Sequence, residues 1–299
     1  MNHIFDILSS ALPEMKIFKN ESMASHTTFR IGGPAKLFIE PKSEEELSKC
    51  YKILKENGID PIVIGRGSNL LVRDEGIDGV VIHLGEDFAA ICVEDTAICA
   101  EAGANLAAVA SAALQNCLTG MEFAHGIPGS LGGALYMNAG AYGGEMSQIV
   151  ETVRYMDRDG AIRERAVGEC CYGYRHSIFE EEQTIILGAK IRLEKGDKEA
   201  IAARMKELSE KRIASQPLDK PSAGSTFKRP ATGYAAAMID QSGLKGFAVG
   251  GAQVSEKHAG FVINAGDATF ADVSELMARV QEKVQENFGV ILEPEVKII

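Results

Sequence analysis

Gly126-Ile-Pro-Gly-Ser-Leu-Gly-Gly-Ala-Leu-Tyr-Met-Asn-Ala-Gly-Ala-Tyr-Gly-Gly144 places seven glycines in nineteen residues, grouped on either side of the apolar run 134–137. Clustered glycines let bare backbone N–H groups approach a ligand, because no Cβ stands in the way. Ser130 is positioned to cap a short helix over 132–137. The free N–H groups and dipole of that helix would then face an anion, for which a diphosphate is the natural guest. Glycine content alone leaves a plainer reading open, two turns around a buried helix.

Upstream, residues 36–40 alternate as a strand, and Ser43 with Glu46 forms a capping box for a helix over 44–57. Leu47, Cys50 or Tyr51, and Leu54 give that helix its apolar stripe, and Gly58 closes it. A short buried strand at 61–64 runs into Gly65-Arg-Gly-Ser-Asn-Leu-Leu-Val72. Strand, helix, strand and glycine loop make a βαβ unit with a ligand loop at a strand's carboxyl end. It is not the dinucleotide fingerprint: the third glycine would fall at Leu70, and Val72 onward reads as strand rather than helix. Lacking Gly-Lys-Ser/Thr, it is not a P-loop either. A tight backbone loop with Ser68 and Asn69 as donors suits a phosphate.

Between and beyond the glycine segments, 79–84, 89–93 and 97–102 read as strands and 105–118 as an Ala-rich helix capped by Asn105. Residues 149–157 and 161–166 form a hairpin across Arg158-Asp-Gly160, and 184–193 is a further strand. A helix opening at Gly196-Asp197 carries Ile201, Met205 and Leu208, then gives way to the polar linker 214–222. The remainder reads as a small α+β unit. It has a helix near 234–241, strands around 247–254 and 261–264, a helix with Val273, Leu276, Val280 and Val284 on one face, and an extended end whose Pro294 suits an edge.

A length of 299 residues allows one large domain or two to three smaller ones. The net charge of −11 argues against a nucleic-acid surface. The six cysteines form no CxxC and read as reduced, buried small hydrophobes of a cytoplasmic protein. The six histidines show no metal-ligand spacing, so no metal is expected. Nothing approaches 18 uninterrupted apolar residues, which disfavours a membrane span, and a secretion signal is not apparent.

The motifs occur in a specific order: Phe29-Arg-Ile-Gly-Gly-Pro34, Gly65-Arg-Gly-Ser-Asn69, Gly126-Ile-Pro-Gly-Ser130, Gly140-Ala-Tyr-Gly143, Tyr174-Arg-His-Ser177, Ala223-Gly-Ser-Thr-Phe-Lys228 and Leu292-Glu-Pro-Glu-Val296. This series resembles the UDP-N-acetylenolpyruvoylglucosamine reductase family from about residue 26 onward. Any one motif is weak; the ordered set is not. The resemblance implies an α+β chain, with a two-lobed FAD-binding domain of the vanillyl-alcohol-oxidase type over 30–194 (lobes about 30–75 and 77–194). A C-terminal α+β substrate-binding domain over 205–299 would follow. It also implies NADPH-dependent, FAD-mediated reduction of a UDP-sugar enolpyruvyl ether in peptidoglycan synthesis. The cofactor-binding residues carried over are Gly65, Arg66, Gly67, Ser68, Asn69, Gly126, Ile127, Pro128, Gly129, Ser130, Gly133, Asn138, Gly140, Ala141 and Tyr142. Relatives with covalent flavin keep His or Cys in the first glycine loop; residues 65–71 have neither, so FAD is expected to be non-covalent. No insertion follows Phe179, which resembles the shorter family variant lacking a substrate-covering tyrosine loop. A monomer acting on small molecules is expected.

The resemblance implies Arg175, Ser225 and Glu295 as catalytic residues, with Tyr174, Lys228, Arg229 and Lys297 at the substrate. Hydride addition to the terminal carbon of the enol ether drives charge from the α-carbon into the carboxylate, and fixed donors stabilise such charge. Arg175 offers a planar cationic fork, though taken alone the reading as a surface salt bridge is favoured. A carboxylate beside an enolate is repulsive unless Glu295 is protonated there; without the family it reads as an edge-strand or capping residue. Ser225 would protonate the enolate carbon, and Lys228 or a water would ease the transient alkoxide. Lys297 stands where arginine is frequent, and a lysine is a point charge rather than a fork. Two other readings remain at this stage. A different flavin oxidase would consume dioxygen with a small alcohol, and a nucleotide-binding module would show no flavin colour.

Overall fold

In the computed structural model, which describes residues 1–299, Ser43 stands at the N-cap of the helix Glu44–Glu56. Its Oγ accepts the Glu46 N–H at 3.2 Å, while the Glu46 carboxylate accepts from Lys42 N–H at 2.8 Å rather than from Ser43. The expected capping box is therefore closed one residue early. Leu47, Cys50, Tyr51 and Leu54 are the buried face, and Gly58, at φ +70°, ends the helix in the left-handed region.

The chain divides into two units, each built from separate pieces of sequence. The first comprises Met1–Lys19, Leu37–Arg66 and Gly79–Lys211. It contains the parallel pair Ile62–Ile64 and Ile77–His83, in register Ile62 to Val81 and Ile64 to His83. These belong to a four-stranded sheet in the order Lys16–Ser22, Pro34–Glu40, Ile77–His83, Ile62–Ile64. Strand Lys16–Ser22 leaves no sequence signal because no residue of it is buried, so apolar alternation is missing. A second sheet of five antiparallel strands runs Ile162–Ala166, Val150–Met156, Ile185–Arg192, Ala97–Glu101, Ile91–Glu94. Its hairpin turns where expected, with Met156 opposite Ile162 and Gly160 at φ +77°. Helices Leu106–Gln115 and Leu131–Tyr136 pack on this sheet, and Leu106, Val109, Leu131 and Leu135 share one core with Leu187 and Ile191. Each such side chain, fully withdrawn from water, contributes about 1.5–3 kcal/mol.

The second unit comprises Asn20–Lys36, Gly67–Asp78 and Arg212–Ile299. The helix Phe270–Phe288 buries Val273, Leu276, Met277, Val280 and Val284 and is held by a true capping box between Thr269 and Asp272. It packs on the strands Ala248–Val249 and Ala252–Val254, which continue antiparallel to Val262–Asn264. Phe29, Ile31 and Leu71 complete this core from far earlier in the sequence.

Two expectations are corrected. Strand character after the first glycine loop is confined to Leu70–Leu71, because pairing there is with Lys297–Ile298, a partner only two residues long. The cysteines are all free, but only Cys50 and Cys170 are buried; Cys92, Cys99 and Cys171 are exposed. Strand pleating explains two of these: Cys92 and Cys99 are cross-strand partners on the solvent face, while Ile98 and Ala100 point to the core.

Candidate active site

The second glycine segment begins as foreseen, with Ser130 at the N-cap of Leu131–Tyr136 and its Oγ accepting the Gly133 N–H at 3.4 Å. Its N–H groups, however, are not free for an anion. Leu131 donates to Ala104 O at 2.8 Å and Gly132 to Ala102 O at 2.7 Å, because the segment 102–105 lies antiparallel alongside, bridged through Asn105 and Ser130. The helix end is a packing joint.

The first glycine loop is different. The N–H groups of Arg66, Gly67, Ser68 and Asn69 donate to no acceptor in the protein, although Gly67 is buried. Four consecutive unspent donors form a concave nest suited to an anion. Glycine is required at both its corners. A Cβ on Gly65 would sit 2.1 Å from Ser130 Oγ, so the two glycine segments meet there. Gly67, at φ +60°, passes 2.0 Å, measured from its would-be Cβ, from the His26 carbonyl. Asn69 spends one amide hydrogen on Glu295 O at 3.0 Å, and its own carbonyl accepts from Lys297 N–H at 2.9 Å.

Arg175 is carried by a tight loop. Gly173 N–H donates to His176 O at 3.1 Å and His176 N–H returns to Gly173 O at 3.3 Å, leaving Tyr174 and Arg175 at the tip. Tyr174 is half exposed with its ring 5.0 Å beneath the guanidinium, and Arg175 Nη2 donates to Gly140 O at 3.3 Å. Gly140–Ala141 pairs antiparallel with Gly144–Glu145, and the turn between them presents Tyr142, also exposed. Arg175, Tyr174, Gly140 and Asn138 are thus brought into one cluster. Gly126, Ile127 and Pro128 precede it on the stretch leading to buried Gly129 and Ser130.

Ser225 and Glu295 come together in the second unit, 70 positions apart in sequence. Glu295 N–H donates to Thr226 O at 2.8 Å, Lys228 N–H donates to Glu293 O at 2.8 Å, and Phe227 bridges Pro294. Thr226 is buried and fixed twice more, by its N–H to Gly260 O at 2.9 Å and by its Oγ1, which accepts from Val262 N–H at 2.9 Å. Between buried Ala223 and Thr226, with Gly224 at φ +77°, Ser225 is turned out to solvent. It caps no helix, since the next one, Ala235–Gln241, starts at Tyr234. The Lys228 ammonium lies 3.5 Å from the Glu293 carboxylate. Arg229 stacks on Tyr234, 4.1 Å from the ring centroid. Tyr234 was not foreseen; an exposed aromatic five residues beyond an arginine is too common a pattern to single out. A cavity of about 470 Å³ in this unit, lined by Arg30, Lys220 and Asn264 among others, includes none of the foreseen residues.

The chain is 49% identical to the UDP-N-acetylenolpyruvoylglucosamine reductase of Caldanaerobacter subterraneus over 99% of this chain and 98% of that one. The chain belongs to the UDP-N-acetylenolpyruvoylglucosamine reductase family. The reductase of Syntrophomonas wolfei is 47% identical, with 100% of this chain and 98% of that one covered. The crystal structure of the Thermus caldophilus reductase superposes with a TM-score of 0.82 at 34% identity, over 95% of this chain and 98% of that one. Residues 216–299 match the family's C-terminal domain and residues 35–165 an FAD-binding domain. A berberine bridge enzyme variant shares the fold alone, at TM-score 0.51 and 16% identity over 65% of this chain and 44% of that one. The α+β fold with a flavin domain of the vanillyl-alcohol-oxidase type follows. Like other UDP-N-acetylenolpyruvoylglucosamine reductases, the protein reduces UDP-N-acetylglucosamine enolpyruvate to UDP-N-acetylmuramate with NADPH through FAD, in peptidoglycan precursor synthesis. The nest at 66–69 fits the FAD diphosphate in charge and donor number. No helix is long and apolar enough to cross a membrane.

Proposed function

We propose that Arg175, Ser225 and Glu295 carry the substrate half of this reduction. The supporting observation is the main-chain bond from Glu295 to Thr226, which holds residue 295 beside the serine-bearing turn. FAD, when bound, passes a hydride equivalent from NADPH to the terminal carbon of the enolpyruvyl group. The Arg175 guanidinium holds the carboxylate into which the resulting charge spreads, and a protonated Glu295 donates a hydrogen bond to the same charge. Ser225 Oγ delivers its proton to the α-carbon, giving the lactyl ether, and recovers one from solvent. Tyr174, Lys228, Arg229 and Lys297 bind the UDP-sugar, with Lys228 paired to Glu293.

For the cofactor, the N–H groups of residues 66–69 hold the diphosphate. Gly65, Gly126, Ile127, Pro128, Gly129, Ser130, Gly133, Gly140, Ala141 and Tyr142 shape the remaining flavin site, and FAD is non-covalent. The FAD-binding region is 30–194 and the substrate-binding region 205–299. The enzyme is a cytoplasmic monomer of the shorter family variant.

The deciding experiment follows the flavin spectrum of Ser225→Ala holoenzyme without oxygen. Bleaching by NADPH at the wild-type rate, with recovery by the UDP-enolpyruvyl sugar slowed by roughly 10²–10⁴, is expected for loss of a proton donor. Equal loss of both half-reactions would remove Ser225 from this role.

A further inference from the structure

Asn138 is buried to 1% exposure and left-handed at φ +44°, and both ends of its amide are spent within the protein. Nδ2 donates to Gly173 O at 3.0 Å, and Oδ1 accepts from Ser147 N–H at 2.9 Å. The amide keeps one N–H and one lone pair, but at 1% exposure neither is open to a cofactor. What it does hold is one foot of the loop that presents Arg175. The other foot is tied from the same place: Ser177 Oγ, fully buried, donates to Tyr136 O at 2.7 Å. Residues 136–138, at the exit of the helix Leu131–Tyr136, therefore form a platform on which both ends of 173–177 rest.

The loop needs such support. Arg175 takes φ +55° at a turn position that ordinarily goes to Gly or Asn, and a long side chain holds that conformation only where its surroundings impose it. The Gly173 carbonyl accepts twice, from His176 N–H at 3.3 Å to close the turn and from Asn138 to anchor it. Withdrawing the amide leaves the turn closed but held at the Ser177 foot alone, which loosens the placement of the guanidinium.

We propose that Asn138 is a positioning residue for Arg175, acting through the Gly173 carbonyl rather than on the flavin. This rests on the assignment of Arg175 to the enolate, and the test separates the two. In anaerobic rapid-mixing experiments on holoenzyme, Asn138→Asp keeps the acceptor for Ser147 N–H and withdraws the donor to Gly173. Asn138→Gly keeps the left-handed backbone and removes the amide. Both are expected to retain FAD and the NADPH reduction rate within about twofold and to slow reoxidation by the UDP-enolpyruvyl sugar by about tenfold, the loss of one buried hydrogen bond. In an Arg175→Ala background the same changes should slow reoxidation by less than about twofold, since nothing remains to be aimed. Ser177→Ala, which cuts the other tie, should behave alike and serves if the Asn138 variants fail to fold.

An undiminished tenfold effect in the Arg175→Ala background, or loss of FAD or of NADPH reduction, overturns the proposal and returns Asn138 to the cofactor. If Arg175→Ala by itself leaves reoxidation untouched, the catalytic assignment falls first and the positioning role with it.

Discussion

Glu295 donates its backbone N–H to the carbonyl of Thr226 at 2.8 Å, so a carboxyl-bearing residue and the neighbour of the exposed Ser225 share one hydrogen bond. The bond is main chain to main chain and survives any change of side chain at 295. Substitutions there accordingly test the carboxyl group alone. A glutamine retains an N–H donor where a protonated glutamate has O–H; an alanine retains none. Glu295→Gln should keep about ten- to a hundredfold more reoxidation activity than Glu295→Ala, each removing transition-state stabilisation of about 2–4 kcal/mol or less. Equal rates in the two variants would show that hydrogen-bond donation is not its contribution.

Gly67 is the residue of the nucleotide loop least able to accept a side chain. Its φ of +60° is strained for alanine, and a methyl group would lie 2.0 Å from the backbone oxygen of His26. Gly67→Ala is expected to lower stability by about 1–3 kcal/mol and to weaken FAD retention, read by thermal melting and by flavin release on dilution. By contrast Gly143, at φ +90° with nothing near its Cβ, carries only the backbone strain.

The imidazole of His258 gives the fold an acid-sensitive point. Burial, with a smaller push from Lys245, holds its pKa below the usual 6.5, and its Nδ1 accepts the Gly260 N–H at 3.2 Å. Gly260 in turn accepts from Thr226, beside Ser225. The folded state binds the proton less readily than the unfolded chain. The contribution is therefore fully present above about pH 6.5 and is lost as the pH falls through the folded value. Between pH 7.5 and 5.5 the wild type should lose more melting temperature than His258→Asn. Parallel curves would exclude the histidine as the source.

Thiol chemistry should separate the two buried cysteines from the three exposed ones. Burial pushes Cys50 up to about 12 and Cys170 up to about 11, so neither is a thiolate near neutrality. A thiol reagent at pH 8 should label Cys92, Cys99 and Cys171 in the native protein within minutes, and Cys50 and Cys170 only after denaturation. Mass mapping of labelled peptides reads the pattern.

Membership of the family was legible because its short motifs occur in a distinctive order along the chain, and the residues proposed for catalysis and nucleotide binding are those the motifs contain. Long periodic helices were equally plain: the stripe Val273, Leu276, Val280, Val284 is buried as its spacing requires. The errors have physical causes. Ser130 does cap its helix, but whether the following N–H groups stay free depends on what lies alongside, and residues 102–105 carry no local mark of doing so. The motif around Asn138 adjoins glycine and carries no mark of its partners; only the tertiary fold shows its amide between Gly173 and Ser147. Cys92 and Cys99 looked buried from apolar neighbours, yet a period of two alternates faces whatever the average hydropathy.

The pairing of Leu70–Leu71 with Lys297–Ile298, together with Phe29 and Ile31 in the C-terminal core, bears on how this enzyme can be recombined. Residues 216–299 match a family domain as one continuous stretch, but their core is closed by side chains and a strand from 20–36 and 67–78. A chimera that exchanges only the continuous stretch with a relative would mate a new core with old plugs, and the stretch expressed alone would bare an unpaired strand edge prone to aggregation. Crossovers that respect the fold must move all three segments as a set, so in this protein heredity by contiguous blocks and integrity of the folded unit pull against each other.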